Sequence, residues 1–337
     1  MIKKVLLYGV IILVFTCALG FAYLYFRSPA MVPPSTIKVE MTEARLARGK
    51  YLFERVSLCV ECHSERDFTR FGGPIVPEAE GAGFIFPAEL GFPGTVVSRN
   101  ITPDKETGIG NWTDGEIIWA IREGVSRDGR TLFPLMPYQG FRKMSDEDVY
   151  SVVAHMKTLK PIKKVQPPTR INFPVSMFIK SAPQPAGHVP PVTQQDPLKY
   201  GEYLVTIGGC EGCHTPAEKG EPVPGKRLAG GMVFKTPVGR VVSANITPDP
   251  DTGIGKYSEQ DFLNKFFQYK KYVEQGSPKV GPESFTLMPW LLYCQMEESD
   301  LKAIFAYLKS QPAVYNSVEK HPEFEEIMKK KTSATDQ

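Results

Sequence analysis

The sequence is short of the residues that most often carry chemistry. Its 337 residues include only five histidines and six cysteines. A surplus of one charge is also missing: 40 basic residues stand against 37 acidic ones, a net +3. That balance gives no reason to expect nucleic acid as a partner. Apolar residues make up 42% of the chain, which is ordinary for a globular protein with a packed core. The 29 glycines and 30 prolines imply many loops and turns.

Only one hydrophobic run is long enough to cross a bilayer, Val5 to Phe26. As a helix this run would extend about 33 Å, against a hydrocarbon core of ~30 Å. Lys3 and Lys4 precede it and favour a cytoplasmic N-terminus, with the rest of the chain across the membrane. The competing reading is a cleaved signal peptide, but the apolar region is long for one and no clear cleavage site follows. Residues 5–26 therefore read as a single-pass anchor in the inner membrane of a bacterium, with the remaining chain in the periplasm.

Four of the six cysteines fall in two pentapeptides, Cys59–His63 (CVECH) and Cys210–His214 (CEGCH). Two thiols at this spacing can each add across a vinyl group of haem, and the adjacent histidine then supplies an imidazole to the iron. The pattern reads as two covalently bound haem c groups, held by Cys59 and Cys62 and by Cys210 and Cys213, with His63 and His214 as iron ligands. A zinc site would bring both pairs together, yet each pair opens its own repeat. A thioredoxin-like dithiol would follow a strand, whereas helical patterns precede these motifs. The remaining cysteines, Cys17 and Cys294, read as small buried hydrophobes.

The chain is duplicated. Asn100–Trp112 (NITPDKETGIGNW) recurs as Asn245–Tyr257 (NITPDPDTGIGKY), and Leu135–Pro137 recurs as Leu287–Pro289. Two copies with a period near 150 residues indicate duplicated domains, not a solenoid. The segments read as an anchor (5–26), a first domain (40–160), a proline-rich linker (161–195), a second domain (196–315) and a charged tail (316–337). In the linker, Asn172–Ile179 is apolar and should pack on a domain or a partner.

Local patterns recur as well. Leu46, Gly49, Phe53 and Val56 form one helical stripe before the first pentapeptide, and Asp196-Pro197 starts the matching helix before the second. Thr113 with Glu116, and Ser258 with Asp261, resemble capping boxes. Val149, Val152, Val153 and Met156 give one face of a last helix; Leu301, Ile304, Phe305 and Leu308 give the other.

For the second axial position, His155, His188 and His321 are poor candidates and read as surface histidines. Methionine suits haem iron and raises its potential. Met136 and Met288 lie in equivalent loops, 77 and 78 residues after Cys59 and Cys210. This spacing survives two unequal stretches: His63 to Asn100 is 37 residues against 31 in the second copy, and Gly110 to Met136 is 26 against 33. The rival pair, Met144 and Met296, precedes the last helix of each copy, where a packing residue belongs. Trp112 and Trp119 are candidates to line the first pocket, and the NITPD–TGIG stretch reads as a hydrogen-bonded turn at the haem edge.

The order CxxCH, NITPD-x-x-TGIG, LMPY or LMPW, then an amphipathic helix resembles the membrane-bound multihaem cytochrome c subunits of periplasmic alcohol, gluconate, sorbitol and fructose dehydrogenases. The resemblance covers residues 42–160 and 196–313. It implies a mainly α fold of two tandem cytochrome c-type domains after the N-terminal helix, with His63 and Met136 on one haem iron and His214 and Met288 on the other. Such subunits commonly carry three haem domains, and two are present here. The implied function is electron transfer between a periplasmic dehydrogenase, or quinol, and the respiratory chain or a terminal oxidase, with no catalytic conversion by this chain. The alternatives are a dihaem redox enzyme such as a peroxidase, or a haem-bearing structural subunit of an oxidase complex.

Overall fold

A computed structural model describes residues 2–29, 31–218, 220–236, 239–281 and 285–323. Most of the charged tail lies outside these residues. The described chain is mainly helical, and its strands are two to four residues long. Helix α1 (Ile2–Phe26) begins slightly before the apolar run. It carries no buried residue, and its 18-residue window of mean hydropathy 2.5 is long and apolar enough to cross a membrane.

The first repeat contains α2 (Glu43–Tyr51), which continues as a π turn over Leu52–Val56, then α3 (Cys59–Cys62), α4 (Asp114–Glu123), α5 (Tyr138–Phe141) and α6 (Asp146–Met156). A short helix α7 (Val175–Phe178) lies between the repeats. The second repeat contains α8 (Pro197–Ile207), α9 (Cys210–His214), α10 (Glu259–Phe267), α11 (Lys270–Gln275), α12 (Trp290–Tyr293) and α13 (Glu298–Ser310). Both expected capping boxes are formed, at the starts of α4 and α10, and Asp196 caps α8 by accepting from Lys199 N. Each cap satisfies N–H groups that a helix start leaves without partners.

Each repeat is built on one close helix crossing, α2 on α6 and α8 on α13. Glycine permits it. A Cβ at Gly49 would sit 1.9 Å from the Ser151 carbonyl oxygen, and one at Gly201 would sit 2.0 Å from that of Ala303. The expected faces of the last helices, Val149, Val152, Val153 and Met156, and Leu301, Ile304, Phe305 and Leu308, are all buried at these crossings. Met144 and Met296 are buried in the same core, as their packing role required.

The crossing also corrects one expectation. His155 is buried, not superficial. Its side chain lies under α2 beside Gly49, with its ring edge-on to Phe53 at 5.2 Å between centroids. Burial holds its pKa below the usual imidazole value and favours the neutral ring. His188 is exposed and bonded to Asp146 Oδ2 at 2.6 Å, and His321 is partly exposed. Cys294 is buried as expected, but Cys17 is exposed on α1.

The repeats meet through related contacts. Tyr51 reaches Asp300 on α13, and Tyr203 reaches Asp148 on α6. The two unequal stretches also meet. Arg70 Nη1 donates to the Ser277 carbonyl at 2.7 Å, Phe71 N donates to Pro278 O at 2.9 Å, and the Phe71 ring stacks on Tyr269 at 5.0 Å. The longer stretch of one repeat therefore contacts the longer stretch of the other.

The proline-rich segment lies along the first repeat. Ile162 O accepts from Asn100 Nδ2 at 2.7 Å, Gln166 Oε1 accepts from Asn100 N at 2.8 Å, and Arg170–Ile171 pairs antiparallel with Gly94–Thr95. Within the apolar stretch Asn172–Ile179, Met177 packs inward, while Phe173 and Phe178 remain exposed.

Candidate functional site

Both pentapeptides start after a residue in the left-handed region, Leu58 (φ 50°) and Gly209 (φ 66°). This reverses the chain at the end of the preceding helix and starts the short helix that carries the two thiols. Glycine adopts the conformation freely, whereas Leu58 does so under backbone strain.

The two histidines are held identically. His63 Nδ1 lies 2.7 Å from the Arg99 carbonyl, and His214 Nδ1 lies 2.7 Å from the Ala244 carbonyl. A neutral ring donating Nδ1–H to that oxygen presents the Nε2 lone pair as a ligand, the usual arrangement for a metal-bound imidazole. Burial lowers the pKa of both rings and favours the neutral form this requires. The backbone is fixed too: the His63 and His214 carbonyls accept from Gly83 N and Gly230 N, each at 2.7 Å.

A cavity of about 560 Å³ opens in front of the first pentapeptide. Its walls include Cys59, Cys62, His63, Trp112 and Met136, so the expected thiols, imidazole and thioether face one space. The volume is within the roughly 300–1,000 Å³ of cofactor sites. Trp119 is not on this wall. Burial pushes the Cys59 and Cys62 thiols up to about 12, and Cys210 and Cys213 up to about 12 and about 11. Among the described residues, no three His, Cys, Asp or Glu side chains form a candidate metal cluster.

In the second repeat, Met288 and Cys210 are partly buried against the core. The methionine loops share a bond: Tyr138 N donates to Met136 O and Trp290 N to Met288 O, each at 2.8 Å.

The NITPD–TGIG turn forms the edge of the cavity through Asn100, Thr107 and Ile109. Asn100 Oδ1 accepts from Thr102 N, while Asn100 Nδ2 donates to Thr107 Oγ1 at 3.0 Å. Asn245 repeats both bonds with Thr247 and Thr252. Asp104 and Asp249 each accept from the backbone N–H of the following threonine, Thr107 or Thr252, at 2.7 Å. The first glycine of each TGIG allows close return of the chain: a Cβ at Gly108 or Gly253 would fall 2.2 Å from a threonine carbonyl.

Sequence reasoning missed the charged rim of the first cavity, where Arg99, Arg127 and Arg130 stand with Glu106 and Asp128. Burial lowers the Arg99 pKa, and Arg130 adds to the effect. The signal was present in the repeat itself, where VVSRN in the first copy is VVSAN in the second. The rim belongs to one repeat only at this position.

No protein-family model matches the chain. Among curated proteins, the cytochrome c subunit of alcohol dehydrogenase (quinone) from Gluconobacter oxydans is 33% identical over 287 residues, covering 81% of this chain and 56% of that protein. The cytochrome subunit of fructose dehydrogenase from Gluconobacter japonicus is 33% identical over 296 residues, covering 83% and 55%. A diheme cytochrome c-type protein from Cereibacter sphaeroides is 29% identical over 303 residues, covering 88% and 95%. The chain thus spans about half the length of the two dehydrogenase subunits.

Proposed function

We propose that the chain, which is similar to the cytochrome c subunits of alcohol and fructose dehydrogenases, is a membrane-anchored dihaem electron carrier. Cys59 and Cys62 would hold one haem c, with His63 and Met136 as axial ligands. Cys210 and Cys213 would hold the other, with His214 and Met288. The haem supplies one-electron redox chemistry when bound. The protein residues orient it, shield it from water and tune its potential through ligand identity, burial and charge.

The observation that carries this reading is the identical imidazole geometry at two pentapeptides that sequence alone marks as equivalent. His63 and His214 each point Nδ1 at a carbonyl 2.7 Å away, one residue before the Asn of the NITPD turn. A single site of this kind would serve a simple carrier. Two sites in one chain, joined by direct contacts between repeats, suit a relay that accepts at one centre and donates from the other.

By the same reading, α1 is the anchor in the inner membrane and both repeats face the periplasm. The donor is a periplasmic dehydrogenase or quinol, and the acceptor is the respiratory chain. Haem content tests the core of the proposal. Alkaline pyridine spectra of the purified chain should count two haem c per polypeptide, and the Cys59→Ala/Cys62→Ala variant should count one. Noncovalent haem, or one haem in the unsubstituted chain, would overturn it.

A further inference from the structure

The apolar stretch after the first repeat is firmly placed yet leaves two aromatic rings uncovered. Asn172 N donates to Pro93 O at 2.7 Å, and Met177 is buried, which ties α7 to the first repeat. Phe173 and Phe178 are nevertheless 64% and 61% exposed. They lie beside the end of α1. The Phe173 ring is 6.0 Å from that of Phe21, and Lys180 Nζ donates to the Tyr25 carbonyl at 2.5 Å.

Position along α1 fixes the depth of this contact. Phe21 is five residues before the end of the helix at Phe26, which is about 7.5 Å along the axis. Apolar faces of helices lying in the bilayer interface are buried by roughly 5–10 Å. A ring touching Phe21 is therefore at interfacial depth wherever α1 spans. Lys180, with its ammonium group at the helix end, is placed to reach the headgroups while its stem stays among apolar groups.

We propose that Phe173 and Phe178 form a second membrane contact, which seats the first repeat on the bilayer surface beside its anchor. The occupant is lipid because the patch continues an apolar helix that has no buried side chain. The proposal rests on the reading of α1 as a membrane span.

The test uses the full holoprotein in phosphatidylcholine–phosphatidylglycerol vesicles containing a lipid with a photoactivatable diazirine in its acyl chain. Lipid adducts are mapped by peptide mass spectrometry. Adducts are expected on α1 peptides and on the peptide covering residues 172–179. Phe173→Ser/Phe178→Ser should lower adduct yield on that peptide about tenfold. Labelling of α1 and haem content should not change. Adducts on α1 with none on 172–179 would overturn the proposal and leave the anchor standing. Absence of adducts from α1 as well would overturn both.

Discussion

Tyr51 donates its phenol to Asp300 Oδ2 at 2.7 Å across the boundary between the repeats. The same contact occurs in reverse, from Tyr203 to Asp148 Oδ2 at 2.6 Å. Both tyrosines also accept a bond from the backbone at the start of the partner's last helix, Tyr51 from Glu297 N and Tyr203 from Ser145 N. The duplication thus produced a contact that is used twice, related by a pseudo-two-fold arrangement. Tyr51→Phe should leave Asp300 short of a donor in a site where burial already raises its pKa. Hydrogen bonds to charged groups contribute roughly 1.5–3 kcal/mol. A loss of this size should appear in denaturant unfolding of Tyr51→Phe and again in Tyr203→Phe. Unchanged unfolding in both would show that the contact does not hold the repeats together.

Gly49 and Gly201 mark the closest helix approaches, so their substitution should be severe. Alanine at either position overlaps a carbonyl oxygen of the crossing helix. Overpacking of this kind costs about 1–3 kcal/mol and sometimes more. Thermal unfolding should show a marked loss for Gly49→Ala, whereas Gly187→Ala, where a Cβ meets nothing within 4 Å, should be close to neutral.

The legibility of this chain follows the range of the interactions. Capping boxes at Thr113 and Ser258 could be read because cap and acceptor are three residues apart. The two pentapeptides and the paired methionine loops could be read because duplication doubled each signal. His155 could not be placed correctly from its helix alone. Its burial depends on Gly49, which lets another helix pass over it. The contact of Arg70 and Phe71 with residues 277–278 was equally hidden. Sequence spacing showed two unequal stretches and carried no sign that one would meet the other.

Arg99 offers a direct probe of asymmetry between the repeats. It lines the first cavity, while its counterpart Ala244 carries no charge. A positive charge there disfavours the oxidised, more positive iron centre. Arg99→Ala should therefore lower the potential of one haem, by an amount on the order of 50 mV for about 1 kcal/mol of one-electron stabilisation. Redox titration should show one transition moving and the other staying in place. Equal movement of both would contradict this assignment.

The NITPD turns predict acid sensitivity. The pKa of Asp104 is held below its ordinary 3.8, chiefly by the backbone and hydroxyl bonds of Thr107. Asp249 is lowered in the same way by Thr252. A carboxylate with a depressed folded-state pKa stabilises the fold fully above its unfolded value. That contribution is lost as pH falls through the lower folded value. Asp104→Ala should lower stability at neutral pH and weaken the dependence on pH below about 4. An unchanged acid-unfolding curve would contradict the role given to this turn.

The central claim is that each repeat carries one haem ligated by its own histidine and methionine. Magnetic resonance of the oxidised protein should count two methionine-ligated, low-spin irons per chain. Met136→Ala and Met288→Ala should each remove one of them, while Met144→Ala should remove neither. A high-spin, ligand-binding iron in the unsubstituted protein, or loss of a ligand signal on substituting Met144 or Met296, would contradict the account.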